Sequence, residues 1–584
     1  MNKRPFNVRL MSALLLAGAL TLTGCSDNDY DFDQIDSTIG IGGNGLEIPT
    51  SSTEKIKLRE ILELEENGSV KEDEAHNYVF RQDGDQTETH PNINKITIKK
   101  QGEPISFPIG LNITAPTSVK GVRKVSARIS AQGDIFEFHY QGDKPAEVTE
   151  LTAAELDGTI ELSIKFPTVL HSVISTFQTI SISLPEYMTV ADNGSSTTPS
   201  INGSTLSFNN IPTNKNLAIK LKVTKLNFKA SANNGNAITQ TGNKIKIDGK
   251  IGFYASGEVT NTMAGGEVGN IEGAMTIGEL TINSATGRFN PTIDLNNLGD
   301  VAVNGVPDFL KGGNVVVDLY NPQISVTVSN DMDVEGIIDG TITSIKNGQE
   351  IAQVNVNGIK VNANSTSTIN ICRNANGMTG YGQVIECPDL SNLVRTIPDR
   401  IKFTAKAKAN DSKEGSFKLG NAYNIKTSYA VDAPIAFAKD ANIEYRDTLD
   451  GWNDDVQDIE LAEDTYISAT ATVTSCVPAY LSVDVTPVDI NKKVVEGINI
   501  DLIKKDIEAS KDGVSETTSP IEIKISQAKA GALKKLDGLL FTVSGKADGS
   551  NGAVTGIVLN AEKHTLTVND IKIKIVGKVI GDFN

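Results

Sequence analysis

The sequence predicts an all-β protein: tandem antiparallel β-sandwich-like domains in an extended arrangement, with one short N-terminal helix. From about residue 95 onward, apolar and polar residues alternate with period two, the spacing that gives a strand one face to bury and one to leave wet. Clusters of Gly, Asn, Ser and Thr, such as 193–199 and 233–236, punctuate these runs as turns do. A parallel α/β sheet would instead need continuous apolar strands separated by amphipathic helices of about 10 to 15 residues, and the sequence contains none.

Taken in order, the chain opens with Met1 to Arg9, which carries Lys3, Arg4 and Arg9 and no acid. The apolar run Met11 to Leu20 follows, and Leu22-Thr23-Gly24-Cys25 closes the segment. Charge, length and small residues read as a secretory signal peptide. The run is too short for the roughly 20 apolar residues a membrane-spanning helix needs. Its last four residues resemble the bacterial lipobox, and that resemblance implies that the chain is cut before Cys25 and the cysteine acylated. More than one acyl chain holds a protein durably on a bilayer.

Directly after Cys25 stand Ser26, Asp27, Asp29, Asp31 and Asp33, interleaved with Asn28, Tyr30 and Phe32. This acidic tract resembles the export signal of Bacteroidetes surface lipoproteins, which implies an outer-membrane, lipid-anchored protein exposed at the cell surface. The resemblance covers the leader and the tract, whereas the β body is similar to that group only in general character. The tract is no EF-hand loop, because its sixth position is Phe32 rather than glycine. Gly40-Ile41-Gly42-Gly43-Asn44-Gly45 spells GxGxxG without a strand before it or a helix after it, and reads as a flexible linker.

Thr53 to Leu62 offers a cap, charged pairs and an apolar stripe before Asn67-Gly68, the expected short helix. Ala528 to Leu536 is a second helical candidate. The turn-rich clusters divide the chain into a signal peptide (1–24), an acidic and glycine-rich tether (25–52), a small membrane-proximal module (53–92), a β-sandwich domain (93–230), a β domain with a candidate disulfide (231–430) and a C-terminal β domain (431–584).

Net charge is −18, and loss of the three positive charges of the leader makes it −21. Nucleic acid as a partner is thereby excluded, since its phosphates require a basic face. Cys372 and Cys387 flank the turn-rich Asn374-Ala375-Asn376-Gly377. In an oxidising compartment they form a candidate disulfide that would contribute about 3 kcal/mol.

The densest polar cluster is Asp447, Asp450, Trp452, Asp454, Asp455 and Asp458. Crowded carboxylates on a loop can gather Ca²⁺, which takes six to eight oxygens, and Trp452, the sole tryptophan, offers a face for a sugar to stack on. Ca²⁺ is the one cofactor candidate. Against it stands a plain solvated acidic hairpin tip.

The five histidines fall in no nucleophile or metal motif, so the expectation is a non-enzyme. Three functional classes remain open. The first is surface binding, adhesion or scaffolding of an extracellular protein, with recognition in sandwich loops. The second is glycan capture beside a polysaccharide uptake system, disfavoured by an aromatic content of only 5%. The third is carriage of a hydrophobic ligand in a β-groove, which a pocket lined solely by apolar side chains would favour.

Overall fold

The computed structural model describes residues 38–581 apart from 50–51, 63, 66–67, 115–126, 260–267, 296–299, 377 and 457–458. Cys25, the tract Ser26 to Asp33, and Asp458 lie outside the described residues. What is described is all-β and almost wholly antiparallel. One pair is parallel, Ser365–Cys372 with Gln383–Glu386. Among the described residues, no helix is long and apolar enough to cross a membrane.

The period-two reading translates directly into burial. In Val148–Lys165, Ile160, Leu162 and Ile164 are buried while Glu161 and Lys165 face water. In Thr517–Gln527, Ile521, Ile523 and Ile525 are the inward row. A sheet of sixteen strands uses residues 96–289 and borrows Gly415–Lys418. Its long strands Arg128–Asp143 and Lys244–Glu258 pair through a bulge between Asp134 and Phe136, which bends the pair. No boundary falls at 231, because strands on both sides of that loop belong to the same sheet.

The second sandwich packs the sheet of Gly336–Lys346, Gln349–Val361 and Arg400–Ala409 onto that of Gln323–Asn330, Ser365–Cys372 and Ile425–Pro434. Phe403 of one sheet stacks on Tyr429 of the other, ring centroids 4.2 Å apart. Strands Val70–Glu72, Tyr78–Asp83 and Thr87–Thr89 join the second sheet, so residues 53–92 form no separate module. One hydrophobic core is continuous through both sandwiches, bridged by Phe289, Phe417 and Tyr423.

The C-terminal sandwich has its own core. Its larger sheet contains Tyr466–Ser475, Thr517–Gln527, Ile498–Lys504 and the 17-residue strand Thr565–Gly581, and its smaller sheet runs Asn442–Leu449, Gly538–Lys546, Tyr480–Val488, Asp506–Ile507. The glycine-rich segment expected to be a linker is instead a strand, Thr38–Pro49, paired antiparallel with Thr565–Gly581. The register is irregular between Ile41 and Leu46, where the glycines accommodate the extra residues.

The helix expected over 53–62 shrinks to the single turn Leu58–Ile61. Ile56 and Lys57 pair as a strand with Leu566 and Thr565, and these tertiary hydrogen bonds override the local helical pattern. Ala528 to Leu536 likewise yields only a 3₁₀ turn, Leu533–Lys535.

A candidate ligand cavity in the C-terminal sandwich

Strand Asn442–Leu449 alternates Ile443, Tyr445, Asp447 and Leu449 toward the interior of this sandwich, and turns Glu444 and Arg446 to the other face, where they pair at 2.7 Å. Its neighbour Gly538–Lys546 sets Phe541 opposite Asp447, Val543 opposite Tyr445, and Gly545 opposite Ile443. Leu481 of the third strand lies beside Gly545. Small residues line the facing sheet, among them Ala469 and Ala471. At position 545 a Cβ would come within 3.0 Å of Ile443 and 3.4 Å of Leu481, so glycine is what lets these two side chains close in over the strand.

The result is a cavity of about 430 Å³, within the range of small-molecule sites. A second void of about 70 Å³ lies deeper between the sheets, shares Leu481, Val543 and Leu566 with the first, and is lined only by apolar side chains. Protein interiors pack densely. At about 24 cal/mol per Å³, the smaller void alone forfeits about 2 kcal/mol of packing.

The segment Thr53–Leu62 lies across the cavity as a strap. Leu58 and Leu62 are buried, and Ile56 and Ile61 are half-buried beneath it. Phe309, Phe437 and Leu559 close the far side. The Thr53 amide donates to the Val568 carbonyl at 2.9 Å, Leu58 to His564 at 2.9 Å, and Arg59 to Ala561 at 3.1 Å. Ion pairs add Lys55 to Glu516 at 2.9 Å, and Arg59 to Glu72 and Glu562. Exposed pairs of this kind contribute little each, so the strap rests mainly on its backbone bonds and its buried leucines.

Among the described residues, Asp447 is the one carboxylate that the two sheets aim into this space, two residues along from the phenol of Tyr445. Its Oδ1 accepts the Thr448 amide at 2.8 Å, and no ion pair to it is formed among the described residues. Burial in apolar surroundings pushes its carboxyl above the ordinary carboxylate range, with the Thr448 hydrogen bond opposing.

The remaining acidic residues part company. Asp450 pairs with Lys492. Trp452 is half-buried, its side chain packed against the C-terminal core and its amide donating to the Asp537 carbonyl at 2.9 Å. Asp454 is exposed on the short helix Asn453–Val456, which also contains Asp455. Among the described residues no three of His, Cys, Asp and Glu converge as a metal site. Strand parity explains the dispersal: Asp447 belongs to a strand's inner face and the others to the following loop.

Cys372 and Cys387 are both buried as separate thiols, and the expected disulfide is not formed. Cys372 stands opposite Glu386 in the parallel pair, and side chains alternate along a strand, so the thiol of Cys387 turns to the other face. Accordingly Cys372 Sγ faces the Ile385 carbonyl and Cys387 Sγ that of Asn355. Cys476 is buried too, its Sγ donating to the Lys563 carbonyl at 3.2 Å.

The sequence marks the strap only as a short helix, and it gives no sign that Phe309 and Phe437 line a site. Asp447 was singled out, though as a loop acid. Its position in phase with Ile443, Tyr445 and Leu449 is the signal that marks it as an inward-facing carboxylate.

No known protein family matches the sequence, and no curated protein matches it either. Among solved structures, a protein of Parabacteroides distasonis, provisionally described as secreted, is similar at 14% identity and a TM-score of 0.34, over 51% of this chain and 90% of that one. The T13 particle of infectious bursal disease virus gives 8% identity and a TM-score of 0.10 over 86% of this chain and 79% of the other. Sulfolobus Turreted Icosahedral Virus gives 8% and 0.09 over 82% and 92%. Likeness at this level carries no functional information.

Proposed function

We propose that the protein is a lipid-anchored binding protein of the bacterial surface whose C-terminal sandwich receives one hydrophobic small molecule. The cavity of about 430 Å³ between the strap and the smaller sheet carries this reading. Its lining is mainly apolar, with Asp447 and the Tyr445 phenol on the smaller sheet and the polar residues Thr53, Glu54, Lys55, Arg59 and Glu60 on the strap, so it departs from a purely apolar pocket. Of the three classes open from sequence, hydrophobic-ligand carriage gains a specific structural feature. Glycan stacking and loop-mediated adhesion gain no comparable feature among the described residues.

The lipoprotein reading rests on the lipobox and the acidic tract. It also gives the cavity an address. Thr38–Pro49 pairs with Thr565–Gly581, within the same sandwich. The twelve residues 26–37 span at most about 40 Å when fully extended. Acylated Cys25 would therefore hold the cavity near the outer leaflet.

The test is titration of the full chain carrying Cys25→Ala, which removes the acylation site and the need for detergent, with the dye N-phenyl-1-naphthylamine. Saturable binding of one dye per chain, weakened about tenfold or more by Leu481→Phe, is the expected result. The absence of saturable binding refutes the reading.

A further inference from the structure

We propose that the ligand is a cationic amphiphile, its alkyl part in the cavity and its protonated amine on the carboxylate of Asp447. This deepens the hydrophobic-ligand reading and rests on it. An ionised carboxylate in an apolar wall is costly unless a cation and hydrogen bonds compensate it, and among the described residues only the Thr448 amide donates to Asp447.

The two cations among the lining residues are already engaged. Lys55 pairs with Glu516, and Arg59 with Glu72 and Glu562, acids that lie outside the lining. Glu54 and Glu60 add two further acids to the lining, so the site is negative in balance as well as at Asp447. A carboxylate headgroup would meet like charge there. A neutral alcohol would gain one ordinary hydrogen bond. An ammonium gains a charge-assisted one and neutralises the acid, a difference of roughly ten- to a hundredfold in affinity.

Burial also raises the affinity of Asp447 for a proton. A bound ammonium would replace that proton as the partner of the carboxylate.

The experiment is displacement of N-phenyl-1-naphthylamine from the Cys25→Ala chain at neutral pH by three molecules with one common tail: dodecylammonium, dodecanol and dodecanoate. Dodecylammonium should displace the dye at least tenfold more strongly than dodecanol, and dodecanoate should be the weakest. Asp447→Asn should erase the preference for the amine while leaving dodecanol unchanged, which also shows that the variant is folded. Equal displacement by all three, preference for dodecanoate, or an amine preference that survives Asp447→Asn overturns the headgroup assignment. In those cases the dye signal still supports the cavity. Failure of the dye itself to bind overturns both.

Discussion

His564 sits under the strap with only 3% of its surface exposed, and its carbonyl accepts the Leu58 amide. Its Nδ1 accepts the Asn560 amide at 3.0 Å, which requires the neutral ring with the proton on Nε2. Burial, with a smaller contribution from neighbouring Lys563, lowers its pKa from 6.5 to about 4. The unfolded chain therefore binds a proton that the folded chain refuses throughout this interval. Stability is complete above pH 6.5 and falls as pH drops toward 4; at about 1.4 kcal/mol per pH unit the loss reaches about 3 kcal/mol near pH 4. Trp452, the sole tryptophan, packs on the C-terminal core and so reports this sandwich alone. Urea unfolding followed by its fluorescence at about pH 7.5 and pH 4 should show the wild type losing about 3 kcal/mol more than His564→Asn, whose amide oxygen can still accept the Asn560 N–H. Equal losses in the two proteins would refute the assignment of a buried neutral imidazole.

Three further outcomes follow from the same geometry. Leu481→Phe fills space where the two voids meet and should stabilise the sandwich by up to about 1 kcal/mol in the same urea assay; a loss of more than that would mean the space is already filled. Asp447→Asn should stabilise the ligand-free chain by roughly 1 kcal/mol at neutral pH. Because the folded carboxyl is raised above its unfolded value, wild-type stability declines as pH rises through that interval, and the variant should lack this decline. Thiol titration of the urea-unfolded Cys25→Ala chain without reductant should count Cys372, Cys387 and Cys476 as three free thiols, whereas a single thiol would restore the disulfide.

What was legible in the sequence is what depends on near neighbours. Alternation over Ile160–Phe166 and Ile521–Ile525 announced buried rows, and the all-β class followed. What was hidden depends on pairing between distant segments. Nothing in Gly40 to Gly45 shows that it will lie along Thr565–Gly581, more than 500 residues away, because a bulged glycine-rich strand and a linker have the same composition. The helical pattern over 53–62 is a local preference, but Ile56 and Lys57 pair as a strand with Leu566 and Thr565. Boundaries drawn at loops failed where a sheet borrows strands, as Tyr78–Asp83 and Gly415–Lys418 show. Asp447 was grouped with the loop acids by proximity, whereas parity places it with Ile443 and Tyr445.

The central claim is that a hydrophobic molecule occupies the C-terminal sandwich, and Trp452 can locate it. Indole emission overlaps the absorption of N-phenyl-1-naphthylamine, so dye bound in the cavity should quench Trp452 by energy transfer, saturating at one dye per chain, and Leu481→Phe should shift both signals to at least about tenfold higher dye concentration together. Dye that brightens while Trp452 emission stays constant would place the binding site elsewhere and contradict the account.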